Sequence, residues 1–338
     1  MAPHDAPALL PGASPPASGP TVPLTEVERT SMATQTILVP LDGSPQSNAA
    51  LPLARTLARA TDGAITLLRV MSRDDPTTTG YATSNLRKIA DELRDSGLDV
   101  DSVVRHGSVA DEILSEVRVR GATIVVMRTH GRAGVERAFL GSVADQVVAR
   151  CPVPVVLMRP GERRITGIHT LLVPVDGSPG GTLALGTAVA LARATGASIT
   201  LVQVSVPIAM QTMVAYEYGG MGYYGPEWDD ESLASAKAYV DGLVRHLRKD
   251  GLTAHAQAFS APNAAHGIVD AADKNVADLI VMSTRALTGP ARTLLGSVAN
   301  LVVRSAHCPV LLVHRTSDSE ASPAPAADTA ADPAAVGT

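Results

Sequence analysis

The sequence predicts an α/β chain built of two tandem doubly wound domains, each a five-stranded parallel sheet, set together as a pseudo-dimer. Three observations predict it. The chain copies itself: LARATDGAITLLRV at 57–70 returns as LARATGASITLVQV at 191–204, and VPLDGS (39–44) returns as VPVDGS (173–178) at the same offset. FLGSVADQVVARCPVPVVLM, from Phe139, returns as LLGSVANLVVRSAHCPVLLV, from Leu294. Two copies of more than 100 residues indicate a duplicated domain, not a solenoid. Within each copy, short β-branched apolar runs alternate with helical stretches, the pattern of a parallel sheet covered on both faces. The last strand of each copy has no helix after it, and such an apolar edge (VPVVLM, VLLV) needs a partner. Pairing of the two edges would close the chain on itself.

Element by element, Ile37–Leu41 reads as a buried strand, followed by a turn at Asp42–Ser44 and a helix to about Ala60. Ala64–Val70 is the second strand, and a helix covers about Thr83–Ser96. Val100–Arg105 is a strand, Ala110–Arg120 a helix, Thr123–Met127 a strand, Ser142–Arg150 a helix and Val153–Met158 the closing strand. The second copy repeats this from Leu171 to His314. The expected divisions are a Pro/Ala-rich tail at 1–34 without periodicity, domains at 35–162 and 167–316, and a second disordered tail at 317–338. Met32, just upstream of the first strand, is a candidate translation start. Between the second strand and the next helix the second copy is longer, by MQTMVAYEYGGMGYYGPEW (Met210 to Trp228). That segment holds four of the six tyrosines and the single tryptophan, which suits a lid, an interface or a mobile loop folded over its own domain.

The length of 338 residues fits two domains, and a net charge of −5 argues against nucleic acid or a membrane surface as partner. No apolar run is long enough for a membrane helix and no signal-peptide pattern is present, so the expected location is cytoplasmic. Cys151 and Cys308, each followed by proline, read as equivalent small buried residues, with neither metal-ligand spacing nor a disulfide framework.

The chemistry-bearing stretch is RTHGRAGVERAFLGS, Arg128 to Ser142, which leaves a strand and enters a helix. Exposed amides and the positive end of a helix dipole attract phosphate there. Glycines at 131, 134 and 141 permit close approach of a ligand. The Ser142 hydroxyl either caps the helix or bonds phosphate. Asp42, at the end of the first strand, is expected across the same cleft. Both features return in the second copy as Asp176 and Gly296–Ser297.

An apolar strand ending in DGS, a G-x2-G-x9-G-[ST] loop and a CPVPV strand together resemble the universal stress protein family, over about 37–160 and 169–315. The resemblance implies a Rossmann-like, adenine nucleotide alpha hydrolase-like fold and ATP binding, with or without magnesium, in the absence of efficient catalysis. It assigns Asp42 to adenine, and Gly131, Gly141 and Ser142 to ribose and phosphates. Val70 and Val204, ending the second strands, join the set of ligand positions. The first glycine of the pattern is Arg128, a cation that either clashes with ribose or swings to a phosphate. In the second copy Asp176, Gly296 and Ser297 match, while Ser283 and Ala286 replace the first two glycines. Arg132 and Arg137 read as solvated cations. His130, replaced by Arg285 in the duplicate, reads as a loop-packing or phosphate-side residue and not a base. No GK[ST] phosphate loop is present, and no positioned base argues for fast hydrolysis.

The expected function is thus a tandem, ATP-binding regulatory module of the stress response, not an enzyme. Its expected partners are an adenine nucleotide, an unidentified protein, and a second copy or its own other half. A nucleotide-free scaffold of the same fold and a slow ATPase are the alternatives.

Overall fold

The computed structural model describes residues 35–71, 79–129, 141–163, 165–178, 180–207, 226–284 and 295–314, with the side chains of 226–228 excepted. The two expected tails, Gly131, Gly134, His130, Arg132, Arg137, Arg285, Ala286 and most of the aromatic segment lie outside these residues.

In the first half the strands are β1 (Thr36–Pro40), β2 (Ala64–Met71), β3 (Val100–His106), β4 (Ile124–Arg128) and β5 (Val155–Met158). The helices between them are α1 (Leu51–Thr61), α2 (Thr79–Arg94), α3 (Val109–Val119) and α4 (Ser142–Arg150). The second half repeats the order with β6 (Thr170–Pro174), α5 (Leu183–Thr195), β7 (Ser198–Ser205), α6 (Pro226–Lys249) and β8 (Ala254–Ser260). It ends with α7 (Ala264–Lys274), β9 (Leu279–Thr284), α8 (Ser297–Ser305) and β10 (Val310–His314). The last residues of the aromatic segment, 226–228, therefore open α6. A short 3-10 turn at Ser47–Ala50 intervenes before α1, and α2 starts four residues before the expected Thr83.

Strands β1 and β6 are buried through their middle three residues, as expected where helices cover both faces. α1 buries Leu53, Ala54, Leu57 and Ala58, one helical stripe, with Pro52 in its first turn, where no amide bond is lost. It stops at Asp62 in the left-handed region (φ 48°), and α5 stops at the corresponding Gly196 (φ 73°). Glycine accepts that conformation without penalty and aspartate at a small one.

All ten strands form one sheet in the order β3-β2-β1-β4-β5-β10-β9-β6-β7-β8. Every described pairing is parallel except β5 with β10, where Leu157, Val156 and Val155 face Val310, Leu311 and Leu312. The two apolar edges cover each other, and Val156 and Leu311 lie at a pseudo-twofold axis. The cores ignore the boundary between halves. One face gathers α1, α2, α5 and α6 around residues that include Val156 and Leu311. The other gathers α3, α4, α7 and α8 around residues that include Leu157 and Leu312.

The connection between halves is also fastened. The Arg159 guanidinium donates to the Ala306 carbonyl (3.0 Å), and the Arg163 amide to the His307 carbonyl (3.2 Å). Arg163 Nη2 reaches the carbonyls of Val276 and Ala277 and the Asp278 carboxylate (2.8 Å). Asp278 in turn accepts from the amides of His169 and Thr170. Glu162 Oε1 accepts from the Arg159 amide at 2.7 Å, but Oε2 is enclosed without a partner. Burial pushes its carboxyl up to about 8, against the opposing pull of Arg159 and Arg128.

The helix–strand register places Ala306, not Cys308, opposite Cys151: each follows its helix as the C-terminal cap. Cys308 stands where the first half has Val153. Both thiols are nonetheless buried and unbridged, and burial raises both pKa values, that of Cys308 to about 12.

Candidate functional site

In each half the winding reverses at one place: between β1 and β4, and between β6 and β9. Loops leaving the carboxyl ends of these strands diverge to opposite faces and leave a crevice. Asp42 and Ser142 flank the first crevice, Asp176 and Ser297 the second, so the structure brings the expected pairs to the same end of the sheet.

The DGS turns share one construction. Asp42 accepts from the Ser44 amide (2.8 Å) and hydroxyl (2.6 Å), and Asp176 from the Ser178 amide (3.0 Å) and hydroxyl (2.5 Å). Gly43 and Gly177 supply the positive φ (76° and 77°) that turns the chain. Burial raises the Asp42 pKa, but bonds from Ser44 and Ser47 and the charge of Arg69 outweigh it and hold the carboxyl below the usual range. It stays ionised at neutral pH.

On the opposite wall, the Gly141 amide donates to the Thr129 carbonyl (3.0 Å), which seats the start of α4 directly beyond β4. The N-cap is Gly141 in α4 and Gly296 in α8; neither end has a side-chain cap. Ser142 and Ser297 are the first helical residues. The capping alternative for Ser142 is therefore not what the structure shows, and no N-cap side chain takes the first-turn amides. Val70 and Val204 end one strand away from the crevice, on β2 and β7, and pack toward the α3 and α7 face. Gly131 and Ala286 lie outside the described residues.

The two crevices differ in their side chains. Arg128, the last residue of β4, donates from Nη1 to the Gln46 carbonyl in the loop after β1 (3.0 Å), across the reversal point. Its Nε and Nη2 are enclosed and have no partner. Arg69 lies over the turn, so close that a methyl group on Gly43 would collide with its guanidinium. In the second half Ser283 replaces Arg128 and Gln203 replaces Arg69, with 3.7 Å from a methyl on Gly177 to Gln203 Nε2. Tyr239 reaches toward Asp176 there: burial and the Asp176 charge both raise its hydroxyl pKa. The Tyr239 hydroxyl and Gln203 Oε1 are enclosed without hydrogen-bond partners. None of these four side-chain placements follows from local sequence pattern, because each partner is distant along the chain.

Among the described residues no group of three or more His, Cys, Asp or Glu is placed to hold a metal, and no helix is long and apolar enough to cross a membrane. A surface hollow of about 310 Å³ lies along the outer strand β8, lined by residues such as Lys237, Asp241 and Gln257.

Comparison with known proteins decides the family. The model of the universal stress protein family matches the chain twice, at 33–159 and 167–314. The chain belongs to the universal stress protein family. It is a tandem member: a universal stress protein of Mycolicibacterium smegmatis is 25% identical over 297 residues, 82% of this chain and 96% of that one. Universal stress protein Rv2005c of Mycobacterium tuberculosis is 26% identical over 298 residues, 83% and 97% of the two chains. Universal stress protein MJ0531 of Methanocaldococcus jannaschii is 57% identical over 51 residues only, 15% of this chain and 30% of that one. Among solved structures, a universal stress protein from Archaeoglobus fulgidus matches the fold with a TM-score of 0.65 at 19% identity, covering 85% of this chain and 99% of that chain.

Proposed function

We propose that this universal stress protein is a regulatory module that binds an adenine nucleotide, ATP by preference, without efficient turnover. The observation that carries the reading is the crevice at the reversal of each half. There a turn aspartate that accepts from its own serine lies at the same end of the sheet as the uncapped first turn of a helix. A carboxylate held by its own turn serine can accept from an adenine amine. Free first-turn amides can donate to phosphate oxygens and place them at the positive end of the dipole. The residues that would hold the ligand are Asp42 or Asp176 on one wall and Gly141–Ser142 or Gly296–Ser297 on the other, with Val70 or Val204 one strand away. The output would be a change in conformation or assembly on binding.

Isothermal titration of the full chain with ATP tests this, with chromatography of nucleotide released on heating. Saturable heat with Kd below about 1 mM, or co-purified ATP, is expected; this corresponds to at least about 4 kcal/mol of binding. No heat and no released nucleotide would overturn the reading in favour of a nucleotide-free scaffold. Sustained phosphate release would overturn its non-catalytic part.

A further inference from the structure

We propose that only the second half of the chain takes nucleotide, because the first crevice is already spanned by the chain's own Arg128. The inference rests on the reading of the protein as a nucleotide binder, and it divides the two crevices by what each contains.

In the first, the guanidinium of Arg128 bridges β4 to the loop after β1 through the Gln46 carbonyl at 3.0 Å. That bond joins residues 82 positions apart, directly over the reversal point where a base and ribose would have to enter. The second guanidinium, that of Arg69, lies on Gly43 and fills the approach to the Asp42 turn. An adenylate entering there must displace both planar groups and break the Arg128 bond. On the opposite wall, Asp145 sits in the first turn of α4 and opposes phosphate charge.

The second crevice lacks each obstacle. Ser283 is too short to cross from β9 to the loop after β6, and Gln203 carries no charge. Asn300 stands at the place of Asp145, the fourth residue of its helix. Enclosed groups here also lack partners, but they are neutral. Among the described residues, the Tyr239 hydroxyl and Gln203 Oε1 beside the Asp176 turn have no acceptor or donor. Enclosed polar atoms without partners carry a desolvation cost, which a polar ligand in hydrogen-bonding range relieves. The first half has Asn85 where Tyr239 stands. The register is set by Arg94 and Arg248, which donate alike to the first carbonyls of β3 and β8.

Removing Arg128 gives up its bond to the Gln46 carbonyl and its pull on Glu162, while its Nε and Nη2 satisfy nothing. Arg128→Ser installs the residue of the second half. Equilibrium dialysis of the full-length protein with labelled ATP should give one equivalent bound per chain for the wild type and two for R128S. Cross-linking of the wild type with 8-azido-ATP, followed by peptide mapping, should place label in the second half alone. Two equivalents in the wild type, or label in first-half peptides, would overturn the inference and leave the nucleotide reading standing. One equivalent in both proteins would overturn the role of Arg128. No binding by either would sink the nucleotide reading itself. The mapping needs no variant, so it decides the matter even if R128S fails to fold.

Discussion

Replacing Glu162 by glutamine should make the protein more stable in alkali and leave it unchanged in mild acid. The carboxyl sits in the connection between halves, with Oε1 bonded to the Arg159 amide and Oε2 enclosed and unpartnered. Its ordinary value of 4.5 is raised to about 8, so the folded chain holds a proton that the unfolded chain has released throughout that interval. Where the folded state binds more protons, stability falls as pH rises, so the loss begins near 4.5 and is complete near 8. At about 1.36 kcal/mol per pH unit the upper limit is about 5 kcal/mol, and partial exposure of the residue brings the expectation to roughly 2–4 kcal/mol. Glu162→Gln keeps the acceptor for Arg159 and cannot ionise. Urea unfolding followed by far-UV circular dichroism should therefore show nearly equal stabilities near pH 4, below the ordinary value of 4.5. The variant should lead by that amount at about pH 8.5. Apart from Cys308, whose thiol the Glu162 charge also raises, the difference between the two proteins reports this group. A difference that stays flat with pH, or favours the wild type in alkali, would show that Glu162 is ionised and paired with Arg159 or Arg128 in the folded state.

Two further outcomes follow from packing and charge. Leu311→Ala removes a fully buried side chain from the β5–β10 seam and should cost about 2–5 kcal/mol in urea unfolding. A loss below about 1 kcal/mol would mean that the seam is not packed as described. Glu116, 1% exposed, is held by Arg105 (2.6 Å) and Arg120 (3.2 Å). Arg105→Ala with Arg120→Ala would leave that carboxylate buried and unpaired, at about 3–5 kcal/mol. Adding Glu116→Gln should restore more than half of the loss; no recovery would show that the arginine stems, not their charges, hold α3 to β3. The second half supports this exchange, since Ala271 and Phe259 occupy the places of Glu116 and Arg105 and pack without charge.

The architecture was legible because its signals are local or periodic. The buried runs ILV and LLV, the DGS turns and the apolar edges VVLM and VLLV each declare their environment within a few residues, and the duplication repeats the message. Even the antiparallel seam could be anticipated from two edges that lacked covers. The contents of the crevices were not legible. Whether Arg128 clashes, swings outward or bonds a carbonyl depends on where Gln46 lies in space, and no spacing rule encodes a contact across 82 residues. Ser142 is preferred as a cap by residue type, yet Gly141 holds that position because the chain arrives extended (φ −62°, ψ 147°) from its bond to Thr129. The paired cysteines were misaligned because a shared Cys-Pro dipeptide outweighed the two-residue shift in what precedes it. The proton on Glu162 depends on enclosure by the far half of the chain, beyond the reach of any local motif.

The antiparallel junction of β5 and β10 also has a genetic consequence. Two identical subunits meeting at such an axis must change together, since one codon writes both. Here the related surfaces are written by separate codons in a single polypeptide. An arginine can therefore stand at 128 while a serine stands at 283, and each half is free to acquire its own task without dissolving the partnership that folds them.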